Sequence, residues 1–243
     1  MNVTRLVKTG GGRAGRQMPA WSAALVVIAH PDDESFGLGA VIDQLTTAGT
    51  AVHILCYTHG EASTLNETCA DLHSSREDEL RQAGAELGVA SVTLLGYPDG
   101  GLAGAAPGEL AALAADAAAR GAAEGLLVFD DTGITGHPDH RAATAAAVLV
   151  GRRARLPVLA WALPAAVAGQ LAAETGQGFA GQPPGLLDLS VRVSRTRQRR
   201  AALLHASQIS PTAVLWRRLQ LQGDCEHLRW LVPPDDIAAP PHH

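Results

Sequence analysis

The chain has 243 residues, 47% of them hydrophobic and 18% charged. That suits one α/β domain with a sizeable core and excludes a disordered chain. A formal charge of −5 argues against nucleic acid as a partner of the whole chain. Cys56, Cys69 and Cys225 form no CxxC pair, which excludes a cysteine zinc knuckle and a disulfide framework and makes a reducing cytoplasm the expected location.

Residues 1–20 carry Arg5, Lys8, Arg13 and Arg16 without an acid and read as a flexible basic tail. With the apolar residues 20–29 they have the outline of a signal peptide. Cleavage there would delete the strand that leads into the most chemically loaded motif, so the segment is expected to stay. Near-continuous apolar runs at 23–29, 52–57, 92–97, 126–129 and 158–163 suit strands covered on both faces. Helical spacing fills 36–48, 74–88, 108–120 and 140–151. The clearest of these, 74–88, opens on serine, carries acids in its first turn, places Leu80, Ala83 and Leu87 on one face and ends on Gly88.

This alternation predicts an α/β fold, a Rossmann-like, doubly wound, mostly parallel sheet. Residues 156–173 lack charge but hold Pro157, Pro164 and Gly169, which predicts a buried strand and then a loop or short helix, not a membrane span. After the Gly/Pro/Gln-rich stretch 176–185, a strand at 187–193 and helices near 194–206 and 211–222 form a small C-terminal strand–helix extension. The expected organisation is one domain over 21–232 between the basic tail and a Pro-rich tail at 233–243. Residues 189–223 hold seven arginines and no acid, which reads as a solvated helix face rather than a polyanion site.

The first strand ends in Ala29-His30-Pro31-Asp32-Asp33-Glu34. Ligands bind at the carboxyl ends of strands in an open parallel sheet. Three acids and a histidine there repel one another unless a cation sits among them, although acids also favour a helix N-terminus. After the fourth strand the chain reads Gly136-His137-Pro138-Asp139-His140, and strands one and four are neighbours in the common doubly wound order. His30, Asp33 and His140 then supply a two-histidine, one-carboxylate set with open positions for water and substrate. Zn2+ is the usual ion for such a hydrolytic site, and Fe2+ uses the same ligand types. Asp32 is the candidate general base of a metal-activated water. His137 is the candidate that protonates the leaving amine or stabilises the oxyanion, with Asp139 holding its ring and raising its pKa.

These two motifs resemble those of the GlcNAc-phosphatidylinositol de-N-acetylase family, also called PIG-L or LmbE-like. Further pieces are similar in the same order: Thr58-His59-Gly60-Glu61, Arg76-Glu77-Asp78-Glu79-Leu80, Leu87-Gly88-Val89, Gly96-Tyr97-Pro98-Asp99-Gly100 and His205-Ala206-Ser207-Gln208. The resemblance spans roughly residues 23–210 and implies a zinc-dependent N-deacetylase acting on an N-acyl amino sugar or glycoconjugate. It implies His30, Asp33 and His140 as ligands, Asp32 as base and His137 as acid or electrophile. It also marks Arg76, Asp99 and His205 as candidates for contact with substrate, while Glu34 and Glu61 read as structural partners. His53, His59 and His73 have the composition of a second metal cluster, but their spacing fits no helix face. That cluster is not expected.

Three other readings compete. Gly37-Leu38-Gly39 invites a nucleotide-binding Rossmann module, but the third glycine of GxGxxG falls on Ile42 and acids precede the loop. The same metal site suits an amidase of a thiol conjugate of the mycothiol type. The arginines allow a non-enzymatic polyanion binder. Oligomeric state stays open, a homo-oligomer included.

Overall fold

The computed structural model describes residues 17–65 and 72–238. The first sixteen residues, residues 66–71 with Cys69, and the last five residues lie outside them. Seven strands form one sheet in the order β3-β2-β1-β4-β5-β7-β6. They are β1 (Ala23–Ile28), β2 (Ala51–Thr58), β3 (Ser91–Tyr97), β4 (Gly125–Phe129), β5 (Val158–Trp161), β6 (Leu189–Arg192) and β7 (Cys225–Val232). β1 to β5 run parallel, whereas β7 pairs antiparallel with both β5 and β6.

The apolar runs become strands because helices cover both faces of the sheet. Every residue of β1 is buried, and its side chains alternate between two cores. Val26 and Ile28 pack in one with Leu38, Ile42 and Leu80, while Leu25 and Val27 pack in the other with Leu110, Ala114 and Ala147. β1 lies between β2 and β4, so the chain reverses its winding direction there, and the segments after β1 and β4 face each other as expected.

The helices are α1 (Asp33–Phe36), α2 (Gly39–Thr47), α3 (Leu72–Leu87), α4 (Pro107–Arg120), α5 (Pro138–Ala154), α6 (Ala165–Thr175), α7 (Thr196–Leu204), α8 (Val214–Gln222) and α9 (Pro234–Ala238). The expected helix at 36–48 is thus two, broken at Gly37 and Leu38. These glycines serve packing. A Cβ on Gly37 would stand 2.1 Å from the Phe129 ring, and one on Gly39 would stand 2.9 Å from Gln198. Residues 158–175 are a strand followed by a helix, and no described helix is long and apolar enough to cross a membrane.

Two expectations about the C-terminal third need correction. β7 fell in a stretch of the expected domain to which no element was assigned, because Glu226, His227 and Arg229 mask the alternation that Leu228 and Val232 carry. The expected extension continues the same sheet, and α9 falls within the expected tail. Nor are the arginines simply a solvated face. Arg195 and Arg218 are buried on either side of Glu226, Arg197 pairs with Asp43 at 3.0 Å, and Arg217 pairs with Glu174 at 2.7 Å. They fasten the C-terminal helices to the rest of the domain.

Candidate metal centre and active site

The turn after β1 is shaped by a strained residue. Asp32 has φ 120° and ψ −26°, a conformation that persists only where neighbours enforce it. Its N–H donates to Glu34 Oε2 at 3.0 Å, and Glu34 Oε1 meets His205 Nε2 at 2.6 Å. Arg76 of α3 donates to Asp32 Oδ2 at 3.0 Å and to the carbonyls of Pro31 and Gly60. Gly60, at φ 65°, is required because a Cβ there would stand 2.1 Å from the guanidinium. The segment after β1 is therefore braced from α3 and from the C-terminal helices. Glu79, one turn beyond Arg76, accepts from the N–H and Oγ of Ser207 at 2.8 and 2.6 Å.

Opposite stands the start of α5. His137 caps this helix, its Nδ1 accepting from the N–H of Asp139 at 3.2 Å. His140, one turn on, donates through Nδ1 to the carbonyl of Gly133 at 3.3 Å, since a carbonyl only accepts. Asp130 holds that loop, its Oδ1 accepting from the N–H and Oγ1 of Thr132 and from Gln182.

Three side chains then converge. His30 Nδ1 lies 3.3 Å from His140 Nε2, His140 Nε2 lies 3.1 Å from Asp33 Oδ1, and His30 Nδ1 lies 3.8 Å from Asp33 Oδ2. The far nitrogen of His30, Nε2, faces Asp99 Oδ1 at 3.0 Å and Asp139 Oδ2 at 3.4 Å. With Nε2 protonated toward those carboxylates and His140 Nδ1 protonated toward Gly133, both facing nitrogens carry lone pairs. Lone pairs 3.3 Å apart require a positive centre between them. Neighbouring donors on a tetrahedral ion, with bonds of about 2.0–2.1 Å, lie about 3.3 Å apart, so this donor set fits a zinc-like ion. His137 also falls within metal-binding range of His30 and His140, as do Asp99 and Asp139 on the other side of His30. The carboxylates around His30 further fix its ring, as oxygen partners do for metal-bound imidazoles.

The electrostatics agree. Burial acts to lower the pKa of His30, but Asp139, Asp99 and Asp33 outweigh it and push the value up to about 10. Without a metal, the site thus draws a proton into the place of the cation. Burial also acts to raise Asp33, yet His140 and His30 hold it well below the usual carboxylate range. Asp32 is pushed up to about 6 by burial, against the pull of Arg76, a value suited to moving protons near neutral pH. Burial and the adjacent His140 and His30 lower the pKa of His137.

A cavity of about 620 Å³ opens over this cluster, within the range of small-molecule sites. Asp32, Asp33, His30, His137, His140, Asp99 and Arg76 all line it, so the structure brings seven of the nine expected site residues together around it. Three of the nine differ from the roles expected of them. Asp139 does not hold the His137 ring by its carboxylate. That carboxylate accepts from the N–H groups of Gly100 and Leu102 at 2.8 and 3.1 Å and faces His30, and the pKa of His137 falls instead of rising. Arg76 borders the cavity, but its guanidinium is buried and bound to Asp32 and two carbonyls, so it positions the base. His205 is fully buried against Glu34 and outside the cavity. Glu61 accepts from the N–H of Asp99 at 2.9 Å, a structural partner as expected.

Of the discounted histidine cluster, His59 and His73 do meet, stacked with ring centroids 3.4 Å apart. β2 ends at Thr58, so strand alternation does not govern His59, and His53 lies away from them against Ser91. Sequence reasoning missed Phe129, Trp161, Phe179 and Gln208 in the cavity wall. Phe129 and Trp161 were readable as the last residues of strands aimed at the carboxyl edge. Gln208 was readable only as the last residue of the His205-Ala206-Ser207-Gln208 motif, and Phe179 carried no signal.

The family profile described as GlcNAc-PI de-N-acetylase (PIG-L) matches residues 25–150. The chain belongs to that family. A curated relative from Schizosaccharomyces pombe, "Probable N-acetylglucosaminyl-phosphatidylinositol de-N-acetylase", is 35% identical over 133 residues, 52% of this chain and 51% of the relative. The chain thus spans about half the length of that relative. A Bacillus anthracis protein, "Probable N-acetyl-alpha-D-glucosaminyl L-malate deacetylase 2", is 28% identical over 215 residues, 85% of this chain and 90% of its own. Among solved structures, N,N'-diacetylchitobiose deacetylase from Pyrococcus horikoshii superposes with a TM-score of 0.65 at 19% identity, over 87% of this chain and 84% of that one. At that identity the likeness speaks for the shared fold alone.

Proposed function

We propose that the chain is a metal-dependent amide hydrolase that removes an N-acetyl or other N-acyl group from an amino sugar or its conjugate. The observation that carries this reading is the pair of facing nitrogens on His30 and His140, with Asp33 as third donor and Asp32 beside them. Zn2+ suits the donors, and Fe2+ is the alternative. A divalent ion there supplies Lewis acidity, which polarises the amide carbonyl and acidifies water.

The protein's own groups do the rest. Asp32 takes the proton from the attacking water and, protonated, delivers it to the departing amine. Arg76 and Glu34 keep its carboxyl aimed at the cavity. His137, with Nδ1 occupied by the N–H of Asp139, carries its proton on Nε2. It therefore serves the developing oxyanion as a neutral hydrogen-bond donor, and proton delivery falls to Asp32. Asp99 and Asp139 hold His30. The amino-sugar part of the reading is supported by the relatives' names, and a cytoplasmic location by the free thiols of Cys56 and Cys225.

Amine release from N-acetylglucosamine conjugates, measured with and without added zinc, tests the reading. Release that requires the ion supports it; release unaffected by thorough chelation refutes it.

A further inference from the structure

The cavity changes character along the strand order. On the β2–β3 side of the donors it is lined by Ala62, Ser63, Asp99 and Gly100, together with the exposed Leu65. On the β4–β5 side it is lined by Phe36, Phe129, Trp161, Phe179, Val214 and Leu215. The apolar wall begins directly behind the donors, for the Phe129 ring stands edge-on 4.8 Å from that of His140 and lies 5.4 Å from that of Trp161.

The polar groups of this wall are already committed. Trp161 Nε1 donates to Glu226 at 2.7 Å. Arg218 donates to Gln222 at 2.7 Å and to the carbonyl of Phe36, and its guanidinium lies 4.8 Å over the Trp161 ring. A sugar placed here would surrender its water for little beyond the hydroxyl of Thr135, whereas an alkyl chain loses nothing on leaving water.

We propose that this arm receives the acyl side of the scissile amide, and that the preferred substrate is an amino sugar whose N-acyl chain is several carbons longer than acetyl. The inference rests on the amide-hydrolase reading above. An amide carbonyl held at the donors sends its nitrogen substituent one way and its acyl substituent the other. Ser63 donates to Gln208, Gln208 to Ser207, and Asp99 accepts from the N–H of Ala62. The Ser63 and Asp99 oxygens nevertheless keep lone pairs and Gln208 keeps a second N–H for a sugar, so the acyl group passes His140 towards Phe129 and Trp161. An apolar aglycone leaves from the carbon next to the one that bears the nitrogen, so it is the competing occupant of this wall. Hydrolysis breaks the C–N bond, adds the oxygen of water to the acyl carbon and a proton to nitrogen, and releases a fatty carboxylate and a free amine.

Binding tests the arm apart from turnover. Zinc-loaded Asp32→Asn protein is titrated calorimetrically with N-acetyl-, N-butanoyl-, N-hexanoyl- and N-octanoyl-glucosamine. Octyl N-acetylglucosaminide, with its chain on the anomeric oxygen, is the control. Affinity is expected to rise by up to about fourfold per added methylene of the N-acyl chain. That rise should collapse when Phe179→Asp is added, or Val214→Asp where the first variant fails to fold. Equal affinity across the N-acyl series, or a gain for the octyl glycoside alone, overturns the proposal. If the rise is present but wild type releases no amine, the acyl arm stands and the hydrolase reading falls. Flat affinity with steady release does the reverse.

Discussion

Two clusters of buried charge lie within this domain, and they solve the same problem differently. Glu226 is enclosed by Arg195 and Arg218, and its other oxygen accepts from Trp161 and Gln222 at 2.7 and 3.1 Å. Both oxygens have partners, and the carboxylate's charge is met by guanidiniums of the same chain. The cluster between β1 and β4 gathers Asp32, Asp33, Asp99 and Asp139 around two histidines, with Arg76 alone as a permanent cation and that one spent on Asp32. There, on the metal-centre reading proposed above, an external ion makes up the balance. Enclosed arginine produces a structural node, whereas an incomplete charge set produces a site.

This contrast can be broken at either cluster. Asp32→Asn removes the proton carrier but none of the metal donors. Turnover should fall by about 10² to 10⁴ with zinc still bound, and a rate near wild type in a steady-state amine-release assay would remove Asp32 from its role. Glu226→Gln should act on the fold instead. Stranding a buried arginine costs about 3–5 kcal/mol, read as a lower denaturation midpoint with zinc binding retained. A midpoint unchanged within error would show that the arginines are not held by Glu226.

The smallest effect concerns His205. Burial lowers its pKa, but the Glu34 carboxylate outweighs that and the net shift is upward. A raised value in the folded state gives stability that is complete below about pH 6.5 and is lost as pH rises through the folded value, at most about 1.4 kcal/mol per pH unit. Thermal melts of metal-free protein above pH 6.5 should show this decline. His205→Gln should make it shallower by this one group's share, the part due to the raised His30 and His140 remaining, and an unchanged slope in the variant would locate the effect elsewhere.

How much of this was legible depended on whether a residue's partners lay within its own motif. The strands from β1 to β5 were readable because their apolar runs answer only to burial on both faces. His30, Asp33 and His140 were readable because two short motifs end neighbouring strands. Arg76 was read as a substrate contact, and His205 as a pocket candidate for which a core place is the better fit, because both face Asp32 and Glu34 across the fold, and no local pattern distinguishes a brace from a substrate contact. Asp139 was misjudged for a related reason. Its sequence neighbour His137 is adjacent, but its carboxylate reaches across to His30, Gly100 and Leu102. β7 and the buried arginines were illegible because each charge in them is cancelled by a residue distant in the chain.

The central claim is that His30, Asp33 and His140 form a site completed by a divalent ion. Titration of metal-free protein with Zn2+ by calorimetry tests it most directly. The account predicts one tight site in wild type, proton release on binding as the ion displaces the proton held at His30, and loss of that site in His140→Ala. No tight site in wild type, or an undiminished one in His140→Ala, would contradict it.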